Sequence, residues 1–306
     1  MPLIMEEAVI EEEYSAWKAI LEKTNIIVSF PKTKKLGIIG LDGREYPLPT
    51  LEQVLELFDK NQKLVNIKYS QGFKHLELVP LALPLPQFTK ILERIITEHR
   101  DGATPYKTRR LLTGALVPTR VNKEKLGRVW ETLEQAYENK ELIYFPQEFS
   151  DNNKGMTKLE TINNPNICSV PGWAIGLTEG LNIIPQIGKG KILKGRKQLE
   201  AGCSPNEYLE ILKGKAYVGE TGKTLEDFIL EFIFRLEKHK EVSFTDEDNN
   251  GLWCLGQYYK LPYDRVVPVG RWLGKVGRVR LDSHRTNNKL CTQNIGTSTV
   301  VRLPLL

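Results

Sequence analysis

The sequence predicts an α+β chain in two parts: a mixed α/β N-terminal domain over residues 1–150 and an α+β module over residues 165–306. Three observations predict it. Helix-period and strand-period patterns alternate through the first half. A polar, asparagine-rich stretch at 150–166 then breaks the apolar pattern and marks the boundary. Beyond it, two helical patterns precede several short β-like runs, the order of an α+β module.

Residues 6–22 predict an acidic-fronted helix, with Tyr14, Trp17 and Leu21 at helical spacing. NIIVSF (25–30) and LGIIGL (36–41) predict short strands around a lysine-rich turn. Thr50 and Gln53 fit a capping box, and Leu51, Val54, Leu55 and Phe58 form the stripe of the helix behind it. A strand is expected at 75–79 and a helix at 87–99, with Ile91, Leu92, Ile95 and Ile96 as its apolar side. A further helix is expected over 123–139, with Val129, Trp130, Leu133 and Tyr137 on one face, and then a strand at 141–145. In the second half, Ser204-Pro205 starts one helix, bearing Tyr208, Leu209 and Leu212. Thr224 and Asp227 start another, with a stripe of Phe228, Ile229, Phe232, Ile233 and Leu236. Short β-like runs follow at 252–259, 265–269, 276–281 and 300–303.

Composition suits a folded chain: 41% of the 306 residues are hydrophobic and 26% are charged. The formal charge is +5, with a local basic excess at Arg265, Arg271, Lys275, Arg278, Arg280, Arg285 and Lys289. Such an excess fits either a solvated face or an anionic partner, nucleic acid included. Cys168, Cys203, Cys254 and Cys291 show no CxxC spacing, so a zinc ribbon is not expected and reduced, buried thiols are. The first residues carry no signal-peptide pattern and no apolar run reaches membrane-spanning length. A protein made in the cytoplasm, without membrane insertion, is expected.

Catalytic motifs are not legible. GETGKT (219–224) has Tyr217 where a phosphate loop needs its first glycine, so Thr224 reads as a helix cap. The glycine and lysine segment at 188–196 reads as a basic surface turn. His75, His99, His239 and His284 show no metal-ligand spacing, and neither a Ser-His-Asp nor a Cys-His arrangement follows from spacing. No cofactor is expected.

The informative segment is 267–302. It carries Gly270 and Trp272, then Gly277 with Val279 and Leu281, then a polar loop with Arg285 and Asn287, then Ile295-Gly296 and a last run Val300-Val301-Arg302. In this it resembles the C-terminus of the variable proteins of diversity-generating retroelements. Thr297-Ser298 stand where that family has an aromatic residue and an arginine. The resemblance is strong over about forty residues, looser over the preceding two helices, and does not extend to the N-terminal half. It implies a C-type lectin-like fold whose exposed face is rewritten through errors at template adenines and binds a ligand. Alternation within the segment agrees: Val276, Val279, Leu281, Ile295, Val300 and Val301 on a buried side, Arg278, Arg280, Asp282, His284, Thr286, Asn288 and Gln293 toward water.

The expectation is a non-enzymatic ligand-binding protein with a macromolecular, protein-like ligand and a display segment at 267–303. Its candidate contact residues are Arg271, Leu273, Lys275, Arg278, Arg280, Asp282, His284, Asn287, Asn288, Gln293, Thr297 and Thr299. Trp253, within LWCL, is expected in the core, and Trp272 partly exposed. Two alternatives stay open: an enzyme of the formylglycine-generating type on the same fold, for which Cys254 and Cys291 are the local candidates, and a nucleic-acid-binding module using the basic face.

Overall fold

The computed structural model of the chain describes residues 5–100, 106–109, 115–119, 121–122, 127–139, 142–180, 184–243, 251–261, 264–287 and 295–305. It opens with α1 (Glu7–Lys23), which buries Trp17, Ile20 and Leu21. β1 (Val28–Ser29), β2 (Leu36–Ile39) and β3 (Glu45–Pro47) form a small antiparallel sheet. α2 (Leu51–Lys60) starts at the expected capping box: the Thr50 hydroxyl accepts from the Gln53 N–H, and the Gln53 side chain accepts from the Thr50 N–H. α3 (Gln62–Ser70), β4 (His75–Val79) and α4 (Leu85–Arg100) follow, and then the two-stranded β5 (Lys107–Arg109) and β6 (Leu116–Pro118).

The helix expected over 123–139 is shorter than its pattern. Residues Gly127–Val129 form strand β7, and only Glu131–Asn139 form the helix, α5. β7 pairs in parallel with a strand some 150 residues later in sequence, a tertiary constraint that overrides local helical period. β8 (Leu142–Tyr144) then precedes α6 (Lys158–Ile162), β9 (Ala174–Thr178) and the hairpin β10 (Ile192–Leu193) and β11 (Arg196–Lys197).

α7 (Pro205–Leu212) and α8 (Leu225–His239) begin at capping boxes, Ser204 with Glu207 and Thr224 with Asp227. β12 (Thr221–Gly222) lies between them. The run expected at 252–259 is two strands, β13 (Gly251–Trp253) and β14 (Gln257–Leu261), separated by a turn at Leu255-Gly256. β15 (Asp264–Leu273), β16 (Arg278–Arg285), β17 (Ile295–Gly296) and β18 (Thr299–Arg302) complete the chain.

The architecture is α+β, with two sheets that mix the halves of the sequence. One is antiparallel, in the order β12-β18-β9-β4. The larger sheet runs β17-β13-β15-β14-β8, with β16 on the other side of β15 and β7 beyond it. β4, β7 and β8 come from the first half, so the polar stretch at 150–166 does not separate two cores. One hydrophobic cluster contains residues from Met5 to Leu303. α8 is buried nearly all round and touches β4, β15, α1 and α4, as a helix enclosed by other elements must. β15 approaches it closely at Gly270, where a Cβ would meet the Phe228 ring at 2.5 Å.

Between α8 and the smaller sheet lies an enclosed charge network. Lys223 reaches Glu231 at 2.5 Å and Glu77 at 3.7 Å, and Arg302 donates to both carboxylate oxygens of Asp227. Lys223 is thus occupied inside the protein, and Thr224 caps α8, as expected of a segment that is no phosphate loop. Glu77 is enclosed, and neither of its carboxylate oxygens has a hydrogen-bond partner. Burial raises its carboxyl from 4.5 to about 7; Lys223 opposes the shift and Asp227 adds to it. The unfolded chain therefore releases this proton first. The contribution is present below the ordinary carboxylate value and is lost as pH rises through about 7. Melting temperature should fall across that window, by the equivalent of up to ~3 kcal/mol. Glu77→Gln should flatten the fall; a wild-type profile that is level or rising there would refute the assignment.

Candidate ligand-binding face

β15 and β16 form a long antiparallel pair in which Arg271 faces Arg280, Val269 faces Asp282, Val267 faces His284 and Leu273 faces Arg278. Directly paired residues point to the same side of a sheet. One side of the ribbon therefore carries Arg271, Arg278, Arg280, Asp282 and His284 together. The opposite side carries Val266, Trp272, Val279 and Leu281, all within the main core. The alternation expected from sequence holds in this ribbon.

Both ends of the polar side are defined by packing. Toward Val267 and Val269 it is covered by a second hydrophobic cluster that includes Leu199, Tyr208, Trp253 and Ile295. Here His284 stands edge-on to the Trp253 ring, with centroids 5.9 Å apart. Toward Arg271 and Arg280 the face is only half buried. β7 extends it: Arg128 is the parallel partner of Arg280, so Arg128, Arg280 and Arg271 lie in one row across three strands. Trp130, two residues past Arg128, lies under two guanidiniums, Arg128 at 4.1 Å and Arg280 at 4.4 Å from its ring centre.

Asp282 is the carboxylate around which Arg280, Arg271 and the His284 ring gather. Arg280 lies 2.9 Å from it, His284 Nε2 3.3 Å and Arg271 4.0 Å. None of the three approaches is an aligned hydrogen bond: Asp282 Oδ2, which all three face, has no hydrogen-bond partner among the described residues. Burial alone would push the Asp282 carboxyl up, but His284, the Ser283 amide and Arg280 hold it below the ordinary range.

The twelve expected contact residues divide. Arg271, Arg278, Arg280 and His284 are half-buried on the face, while Lys275 and Asn287 are exposed in flanking turns. Asn288 and Gln293 lie outside the described residues. Four expected as exposed are buried: Leu273, Asp282, Thr297 and Thr299. Leu273 closes the β15–β16 turn, its carbonyl accepting from the Val276 and Gly277 amides. The Thr297 hydroxyl donates to the Trp253 carbonyl, and the Thr299 hydroxyl donates to Glu220 at 2.6 Å. Each hydroxyl finds a partner inside, so polar character did not signal exposure.

Three more expectations are corrected. Thr286, expected toward water, is buried, and its amide donates to the Arg265 carbonyl. Val276, expected inside, is 40% exposed in the turn. Trp272, expected partly exposed, is fully enclosed: it stacks on Phe232, meets Tyr106 edge-on, and its Nε1–H donates to Thr119. Trp253 is in the core as expected. Arg128 and Trp130 are the face residues that sequence reasoning missed, because only the distant pairing of β7 brings them there.

Cys254 is enclosed and burial pushes its thiol well up, the setting of a packed cysteine rather than a reactive one. Cys168 is likewise buried and raised to about 12. Cys291 lies outside the described residues. Among the described residues no cluster of three or more His, Cys, Asp or Glu could hold a metal, and no helix is long and apolar enough to cross a membrane. No protein-family model, no curated protein and no solved structure matches this chain.

Proposed function

We propose that the chain is a ligand-binding protein, a variable protein of a diversity-generating retroelement, that presents a diversifiable face on a C-type lectin-like scaffold. The observation that carries the reading is the convergence of Arg271, Arg278, Arg280 and His284, four of the segment's polar residues, on one half-buried side of a rigid ribbon. A binding face needs just this: side chains free to vary above a backbone that other residues hold. Here Val279 and Leu281 hold it from beneath. The topology supports the scaffold. β9 and β18 pair antiparallel, so the stretch from 174 to 302 begins and ends in adjacent strands, with α7, α8 and the β13–β16 strands between.

The test is a combinatorial library at Arg271, Lys275, Arg278, Arg280, His284 and Asn287, scored by melting and by selection against unrelated proteins. Most members should fold, since these side chains lie on the polar side, outside the apolar core, where substitutions usually stay within about 0.5 kcal/mol. Some should gain protein ligands. A matched library at Leu273, Asp282, Thr297 and Thr299 should mostly unfold. If both libraries unfold alike, or if the first folds and never acquires a ligand, the display reading fails.

A further inference from the structure

We propose that in this chain's own version of the face the arginine row takes a di- or polyphosphate group; the inference rests on the display reading and gives it a ligand class. Arg128, Arg280 and Arg271 are direct neighbours on three adjacent strands, and Arg278 stands two residues along β16 on the same side. Like charges directly opposite one another destabilise a sheet. Of these four, Arg271 and Arg280 reach the Asp282 carboxylate, and among the described residues Arg278 and Arg128 have no carboxylate partner, so the row carries more positive than negative charge there.

The arginines are also short of acceptors. The Nε atoms of Arg271, Arg278 and Arg280 are buried and make no hydrogen bond. Burial, with Arg271, Arg128 and Arg278 alongside, pushes the Arg280 guanidinium below its ordinary value against the pull of Asp282. Arginine does not deprotonate in proteins, so the shift reports crowding of like charge, which a bound anion would relieve.

The chemistry of the anion follows from the geometry. A simple carboxylate brings one negative charge to a row of several guanidiniums. Guanidinium forks match phosphate oxygens bidentately, and strands lie about 4.8 Å apart, so two neighbouring forks can hold the two phosphates of one pyrophosphate. Nucleic-acid recognition by stacking is disfavoured: the Trp130 ring that could receive a base already carries Arg128 and Arg280.

Calorimetric titration of the full chain with inorganic pyrophosphate tests this, with acetate and a single-stranded oligothymidylate as further arms. Pyrophosphate should bind saturably and weaken with salt, and acetate should not bind. Arg271→Gln and Arg280→Gln should each weaken pyrophosphate by about tenfold or more, as expected for loss of a charge-assisted, bidentate contact. Arg285→Gln, which removes an exposed charge outside the row, should leave it unchanged. Absence of saturable pyrophosphate binding to the wild type overturns the proposal, whether or not the variants fold. So does an equal loss in Arg285→Gln, or tight oligothymidylate binding without pyrophosphate binding. If pyrophosphate fails while the library still yields protein ligands, the ligand class falls and the display reading stands. If pyrophosphate binds and the library never yields a ligand, the anion site stands and the display reading falls.

Discussion

Trp272→Ala should destabilise the protein by about 3–5 kcal/mol, as much as Trp253→Ala, although the two side chains point to opposite faces of the same sheet. Trp272 belongs to the main core, where it stacks on Phe232 of α8 at 6.1 Å between centroids and meets Tyr106 edge-on at 6.2 Å. Truncation removes a large apolar surface from water and leaves a cavity lined by aromatic rings, which cannot collapse into it without losing their own contacts. It also strands the Thr119 hydroxyl that accepts from the indole. Trp253 occupies the smaller cluster with Tyr208, Tyr258 and Ile295, which covers one end of the polar side of the β15–β16 ribbon. Chemical denaturation of the two variants measures both costs. Equal losses with unchanged m-values would fit two faces of one cooperative unit. A Trp253→Ala loss well below that of Trp272→Ala would mean that the smaller cluster is not part of the cooperative core.

What the sequence made legible is what short-range chemistry controls. Capping boxes at Thr50, Ser204 and Thr224 are pairs of residues three apart, and all three form. The alternation along β16 is a period-two pattern, and it placed Val279 and Leu281 inside and Arg278 and Arg280 outside. What it hid depends on partners far along the chain. Gly127–Val129 lies within a plausible helical pattern, yet it becomes a strand because the edge of β16 is there to pair with. Trp272 follows an arginine in a polar segment, and only the approach of α8 at Gly270 shows that its side chain points inward. Three of the four arginines, Arg271, Arg278 and Arg280, were therefore visible as cations in the C-terminal segment. Arg128, with Trp130 beside it, was not, since nothing within ten residues of it reports the pairing.

Arg196→Met should cost about 3–5 kcal/mol, the loss expected when one partner of a buried ion pair is removed and the others remain charged. In sequence, Arg196 ends a glycine and lysine segment that reads as a surface turn. In the structure it is fully enclosed. Its guanidinium donates to Glu220 through Nε at 2.7 Å, to Glu179 through Nη1 at 2.8 Å, and to both Glu220 and the Thr299 hydroxyl through Nη2. It also lies over the Phe73 ring at 4.5 Å. Lys68 adds a second cation, 2.7 Å from Glu220. Methionine fills similar volume but leaves Glu179 and Glu220 with Lys68, Gln198 and Thr299 alone. Arg196→Lys restores the charge but not the planar fork that serves two carboxylates at once, so it should recover only part of the loss. Because the network is shielded from solvent, the loss should persist in salt concentrated enough to shorten the Debye length to ~3 Å. An exposed pair such as Lys60 with Glu56 should contribute no more than ~1 kcal/mol and lose that under the same conditions. Chemical denaturation of the three proteins in low and high salt decides the matter: a small loss for Arg196→Met, or one abolished by salt, would mean that the arginine is not enclosed. Thr299 ties this network to β18, which is why a residue expected on the display face serves instead to anchor the last strand.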